Sequence, residues 1–466
     1  MIFFSFLPPI GDITPIGMRA LGIFIGCMIG WIAGYIITTS LLGLTVYALY
    51  MPGESFATML SGMFGNTNML MIASSLLFAY AVQESGLMNY ISQKLLATKF
   101  AKKSPWHLSV IMWISATVST IFIINSFAVL VLIFALYYEI VDKLNIERKS
   151  PYVAFTLIGM AILASISVGV APYSSAVLMC IAIMSNIAPE CAYSIPLISF
   201  INLILVMSVF VIICVVSKFL FKRKMNPNIN FEYVDFSNET TKVKFTKEMT
   251  IAVIGIVMLL AILILPYLLS ADNLLYIFLN RIGGVGCFMF VSVVLAFIII
   301  NEKQMFNLEE AMTRACSWEV VFLLGTALYV SSYITSDESG VISTLSNTIN
   351  SFVGDKGVYF VAILILLGGL ILTNLASNVA TTQLITPIFT IALINFDINP
   401  AIAVGLLAVV LDHGLIFPSG SAIGAFLYAN KEWLTTGQVL KYTTFGAVSL
   451  MLATAVVGLP LALHLA

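Results

Sequence analysis

Charge is what this sequence has least of. Only 9% of its 466 residues are Asp, Glu, Lys or Arg, against about 25% in water-soluble domains, which excludes a soluble fold. A positive excess is missing too. The net charge of −1 leaves no basic footprint, so nucleic acid is not a partner. Histidine and cysteine are scarce and scattered. His107, His413 and His464 do not cluster, and Cys27, Cys180, Cys191, Cys214, Cys287 and Cys316 form no CxxC spacing. The cysteines read as small buried hydrophobes, without a disulfide framework or a metal centre. The opening MIFFSFLPPIGDITPIGMR has no basic n-region, so no cleaved signal peptide is expected. Neither an HExxH motif nor paired aspartates occur, which leaves a membrane-embedded enzyme as a remote alternative. A filter-like segment or repeated charged ring is also missing, which argues against a channel.

What the sequence has instead is apolar length. Hydrophobic residues make up 60% of it, in runs long enough for a bilayer core of roughly 30 Å. The fold class is therefore all-α, polytopic and embedded in the lipid bilayer. After an interfacial segment at 1–18, spans fall near 19–35, 36–52 and 66–84, followed by a long block at 104–141, an interrupted span at 152–185 and another span at 195–221. The polar stretch 222–249 is too charged to enter lipid and reads as a linker. Spans at 250–270, 277–300 and 317–335 then precede a block at 350–395, an interrupted span at 400–430 and a last span at 438–465.

The charges orient these spans. If the linker is cytoplasmic and each long block is a re-entrant hairpin, all but Arg19, Arg281 and Lys356 of the 21 Lys and Arg residues fall in or beside cytoplasmic segments. Single spans at 104–141 and 350–395 would put neighbouring basic clusters on opposite faces, so the positive-inside rule favours hairpins in a cell (inner) membrane. Each half (19–221 and 250–466) then has an odd number of spans, and the two halves are inverted repeats. Three local matches recur in one order. QESGLMNYIS (83–92) pairs with DESGVISTLS (337–346), Asn125 with Asn378, and APYSSA (171–176) with FPSGSA (417–422). Three matches in register point to duplication.

Chemistry concentrates where the chain must turn inside lipid. Asn125 and Asn378 each sit mid-way through a hairpin block. A turn there leaves backbone groups that lipid cannot satisfy, so it faces protein or a water-filled cavity. Helix N-termini offer N–H groups to an anion, and free carbonyls with the Asn oxygen suit a small cation. Around the tips stand Ser119, Thr120, Asn125 and Ser126 in one hairpin. In the other stand Thr373, Asn374, Ser377, Asn378, Thr381, Thr382 and Gln383. The bland reading is hydroxyl-mediated helix packing. Pro172 and Pro418 break the interrupted spans, and Ser174, Ser175, Ser419, Gly420 and Ser421 can line the breaks. Asp412, beside His413, is an intramembrane carboxylate and so a candidate site for ion or proton coupling. Glu84 and Glu338 read as interfacial caps at span ends.

With these motifs the chain resembles the divalent anion:sodium symporter family of the ion-transporter superfamily over nearly its whole length. Ser377-Asn378-Val379, followed by ATTQLITPI, is similar to one of that family's two Ser-Asn-Thr tips, and Ile124-Asn125-Ser126 to the other. Ile124 and Val379 depart from the triplets, and PYSS and PSGS stand where the family has a Thr-Pro-Pro-Asn type sequence. The resemblance implies a sodium-coupled carrier of small divalent anions, such as malate, succinate, citrate or sulfate. It implies one Na⁺ site at Thr120, Asn125 and the break before Pro172, and another at Thr373, Ala376, Asn378 and the break near Ser419 and Gly420. It places the anion between Asn125-Ser126 and Asn378, with Ser377, Thr381, Ser175 and Ser421 nearby. It implies a homodimer in which the hairpin-bearing part moves as an elevator. A cation/proton antiporter or arsenite-type carrier of the same superfamily is the alternative, favoured by Asp412.

Overall fold

A computed structural model describes the chain except residues 2, 4–6, 33–34, 88–89, 91–93, 95–97, 99, 101–102, 124, 224–243, 268, 270–271, 301, 315–317, 335, 342, 345–346, 349–356, 376–377, 419 and 466. The protein is a helical bundle, and its one strand pairing among the described residues is a two-residue ladder, β1 (Ile299–Ile300) with β2 (Lys303–Gln304). Among the described residues, five helices are each long and apolar enough to cross a membrane. Leu274–Gly283 with Val285–Phe297 makes a sixth if that bent pair is one span.

Two groups of helices make up the bundle. The first contains α1 (Pro15–Ile32), α2 (Ile36–Tyr50), α3 (Phe56–Gly65) and α4 (Thr67–Glu84). The second contains a helical hairpin, α5 (Pro105–Ile123) with α6 (Ser126–Lys143), then the broken pair α7 (Pro151–Ser167) and α8 (Ser175–Ile187), then α9 (Ile195–Arg223). After the linker, α10 (Lys247–Ile264), α11 (Leu274–Phe297), the short α12 (Leu308–Arg314) and α13 (Trp318–Ile334) join the first group. Next come a second hairpin, α14 (Val358–Leu375) with α15 (Asn378–Ile394), and a second broken span, α16 (Pro400–Gly405), α17 (Leu407–Val410) and α18 (Ala422–Ala429). Last is α19 (Thr436–Ala453), which runs through a π turn at Thr454–Gly458 into α20 (Leu459–His464). Within the first group α4 packs on α11 and α2 on α13, so each half's helices lean on the other's. Phe56–Gly65 falls between the expected spans 36–52 and 66–84; Ser55 starts the helix by accepting from Thr58 N.

Burial separates central spans from peripheral ones. Tyr152 to Ser167 of α7 are all buried, whereas the most apolar stretch within Ile195–Phe221 is only 39% buried. The latter shows an apolar stripe at helical spacing, Phe200, Leu203, Met207, Val211, Val215 and Phe219, all exposed. With no water-driven segregation in lipid, such a stripe is the bilayer-facing side of α9. The opposite side of α9 buries Asn202. Its Nδ2 donates to Gly169 O at 2.7 Å and Gly405 O at 3.0 Å, so one amide ties both broken spans together.

The two Glu-Ser-Gly motifs form the same turn. Ser85 Oγ donates to Val82 O and accepts from Leu87 N; Ser339 Oγ lies 2.8 Å from Ser336 O and accepts from Val341 N. Gly86 and Gly340 follow with φ of 70° and 66°, a conformation glycine alone adopts freely. Each turn meets the start of the other half's first helix. Thr14 N donates to Ser339 O at 3.0 Å, and a methyl group built on Gly86 would lie 3.6 Å from Met249.

Candidate functional site

Helix starts define the site. Asn125 precedes α6 and accepts, through its carbonyl, from Val129 N. Ser174 caps α8 by accepting from Ala176 N, and Ser421 caps α18 by accepting from Gly424 N. Residue Asn378 begins α15. A cavity of about 470 Å³ is lined by Asn125, Ser126 and Phe127, by Asn378, and by Ser421, Ala422 and Ile423. A second, of about 220 Å³, adds Ser175 and Ala176 and shares Asn378 and Asp412 with the first. Three helix N-termini thus line the larger cavity, and those of α8 and α15 line the smaller. A helix N-terminus carries partial positive charge and N–H groups beyond the one its cap engages, the backbone arrangement that binds anions.

Beside Asn378 lies a second arrangement, made of oxygens. Thr373 Oγ1 is 2.8 Å from Asn378 Oδ1 and 2.6 Å from Leu411 O. A hydroxyl has one proton, so it serves one of these acceptors at a time and leaves the other facing oxygen. A methyl group built on Gly414 would lie 2.3 Å from Asn378 Oδ1 and 3.0 Å from Gly420 O. One built on Gly420 would lie 2.8 Å from Gly414 O and 3.0 Å from Thr373 O. Two glycines therefore keep carbonyls and the Asn oxygen close together. Ser421 Oγ donates to Gly414 O, and Asn374 Oδ1 accepts from Leu415 N and Ile416 N, which hold the broken segment in place. Asn378 also hydrogen-bonds to the Asp412 side chain, and Ser165 Oγ donates to Asp412 O.

The first hairpin does not repeat this arrangement. Tyr173 Oη lies 3.4 Å from both Ile121 O and Phe122 O, at the end of α5. A side chain of the break thus caps the hairpin, whereas at the second site a hairpin side chain, Asn374, caps the break. Thr120 Oγ1 is buried without a hydrogen-bond partner among the described residues.

The expected site residues distribute accordingly. Asn125, Ser126, Asn378, Ser421 and Asp412 line the larger cavity and Ser175 the smaller. Thr373, Asn378 and Gly420 come together at the second tip. Thr381 and Thr120 are buried and line neither cavity; Thr381 is a helical turn past the tip, where its face turns into the bundle. Ile124, Ala376, Ser377 and Ser419 lie outside the described residues. Glu84 departs from its reading as an interfacial cap, because it lines the larger cavity with Tyr80 and Gln83 of the same helix. Arg314, Ser165 and Val168 also line it. Only Ser165 had a sequence signal, a serine within the apolar run before Pro172; Arg314 had none, since it lies in a charged stretch that reads as a loop.

Hairpins and broken helices around a central cavity, in a chain with several membrane-spanning helices, define a non-enzymatic secondary transporter. The chain belongs to the citrate transporter family, whose model matches residues 11–411. The fold is shared with the Alcanivorax borkumensis YdaH transporter, at TM-score 0.61 and 14% identity over 95% of this chain and 98% of that one. It is also shared with Neisseria gonorrhoeae MtrF, described as illuminating a class of antimetabolite efflux pumps, at TM-score 0.58 and 12% identity over 98% of this chain and 96% of that one. No curated protein matches it by sequence.

Proposed function

We propose that the protein is a secondary active transporter of small di- or tricarboxylates, citrate foremost, driven by a Na⁺ gradient. The observation that carries this reading is the convergence of three helix starts, those of α6, α15 and α18, on the larger cavity, which holds both hairpin tips. Backbone N–H groups at helix starts receive carboxylates. Membership in the citrate transporter family supports the substrate class, and the resemblance to divalent anion:sodium symporters supports the ion. Thr373, Asn378 and the carbonyls of Gly414 and Gly420 would face the cation, the kind of unwound-backbone oxygen set that suits Na⁺ in transporters. The first hairpin, where Tyr173 occupies the carbonyls of Ile121 and Phe122, contributes to the anion only.

The halves act as inverted repeats, and the matching Ser85 and Ser339 turns support this. The hairpins and broken helices move together as an elevator past α1–α4 and α10–α13. The protein works as a homodimer in the cell (inner) membrane, with its linker in the cytoplasm. Uptake of labelled citrate, malate, succinate and sulfate into proteoliposomes tests the reading. Citrate uptake that follows an imposed Na⁺ gradient is expected, and no uptake of any anion under any gradient overturns it.

One observation favours a second reading, a cation/proton antiporter or arsenite-type carrier. Asp412 lines both cavities, and its Oδ2 has no hydrogen-bond partner among the described residues. Such a carrier would move cations or arsenite in the same assay and ignore citrate.

A further inference from the structure

The larger cavity is poor in positive side chains for an anion site. It is lined by two carboxylates, Glu84 and Asp412, and by one cationic side chain among the described residues, Arg314. Arg314 is the last residue of the seven-residue helix α12, which packs against α4, and it belongs to neither hairpin nor to either broken span. It pairs with Glu310, one turn back on α12, through Nη2 and Oε1 at 2.9 Å; the two side chains are 67% and 44% exposed. Across from them, Tyr80 hydrogen-bonds to Glu84 and lies within electrostatic reach of Glu310 and Arg314. The cavity is therefore lined by polar but uncharged hairpin tips and by a single guanidinium among the described residues.

An exposed i,i+4 ion pair contributes little stability and is easily exchanged. A guanidinium offers parallel N–H donors that match a carboxylate bidentately, which an ammonium cannot do. We propose that Arg314 is a second anion-recognition point. It leaves Glu310 for a carboxylate of the bound substrate while another carboxylate of the same molecule sits at the hairpin tips. Glu310 holds the guanidinium in position while the cavity is empty and competes with the substrate for it. The juxtaposition of Arg314 with Asn125, Ser126 and Asn378 in one cavity makes the site selective for anions with two or more separated carboxylates. This inference rests on the transporter reading, and on that reading Arg314 stands on the stationary part. The contact then forms only when the moving part brings the substrate to the cavity's Arg314 side.

The test is calorimetric binding of citrate, succinate and lactate to purified, detergent-solubilised protein, unaltered and as R314Q, R314K and E310Q, with melting temperature measured alongside. The unaltered protein is expected to bind citrate and succinate more tightly than lactate. R314Q should weaken citrate and succinate about 10-fold or more, leave lactate unchanged and leave melting unchanged. R314K should recover only part of the loss, because a point charge replaces a fork. E310Q should tighten citrate, since the competing carboxylate is gone. If the unaltered protein binds citrate and R314Q binds it equally well, or if R314Q weakens all three anions together, the two-point site is wrong and the transporter reading stands. If the unaltered protein binds none of the three, the carboxylate-transport reading fails and the two-point site with it.

Discussion

Thr373 Oγ1 and Asn378 Oδ1 lie 2.8 Å apart, across the tip of one hairpin. The pair joins the end of one half-helix to the beginning of the next, and Thr373 Oγ1 also reaches Leu411 O on the broken span. Asn378 is thereby placed at both the oxygen cluster and the cavity wall.

The two tip asparagines should separate in function. Replacing Asn378 with Ala removes an oxygen from the cluster and an amide from the cavity. Loss of a hydrogen bond to a charged group costs about 1.5–3 kcal/mol, or roughly 10- to 150-fold in affinity, so both citrate and Na⁺ binding should fall by that order. Asn125→Ala should weaken citrate comparably and leave Na⁺ binding intact, because Tyr173 already engages the carbonyls at that tip. Calorimetric titration of each ligand in each variant checks this. Equal loss of Na⁺ binding in both variants would restore a symmetric pair of cation sites.

Asp412→Asn keeps the shape of a side chain that faces both cavities and removes its charge. Gradient-driven uptake should drop to background, with the purified variant melting within a few degrees of the unaltered protein. Normal uptake would reduce Asp412 to a packing residue.

Ser339→Ala should act on stability alone. Its hydroxyl is buried, accepts from Val341 N and lies within hydrogen-bonding distance of the carbonyls of Ile334 and Ser336. Leaving buried backbone groups without a partner costs about 1–3 kcal/mol. Thermal unfolding should therefore begin earlier while citrate affinity stays the same. A variant that melts normally but binds citrate weakly would place the turn in the site instead.

The linker should be cytoplasmic. In a variant without its native cysteines, Lys244→Cys should resist a membrane-impermeant maleimide in intact cells and react after permeabilisation. Labelling in intact cells would reverse the orientation and move the basic clusters outside.

Much of this arrangement was readable in the sequence because lipid makes broken backbone conspicuous. Asn125, Asn378, Pro172 and Pro418 interrupt apolar runs where interruption is costly, and the helices end within a few residues of those marks. Asp412 was readable for the same reason. What escaped lies where polarity is ordinary. Arg314 follows Glu309 and Glu310 in a stretch that resembles any charged loop, and only the packing of α12 on α4 brings it to the cavity. Glu84 ends a helix, and its position fitted an interfacial cap equally well. The role of Tyr173 is hidden by its neighbours, because Pro172 and Ser174 carry the signal for a break and the tyrosine adds none of its own. Thr381 and Thr120 were grouped with the tips because they are close in sequence, yet helix rotation turns them away.

The paired Glu-Ser-Gly turns bear on how the chain is made. Thr14 caps the first helix locally by accepting from Gly17 N, but its tether to the Glu338 and Ser339 carbonyls, the latter 325 positions further along, cannot form until nearly three-quarters of the protein has left the ribosome. At about 5–20 residues per second, that wait is on the order of 15–65 s. The second half thus anchors the start of the first half's opening helix, whereas its own opening helix is capped by Thr246. Coexpressed as separate polypeptides, the halves would find each other as obligate partners, and a ribosome that stalled in the linker would release a bundle with its first helix still untethered.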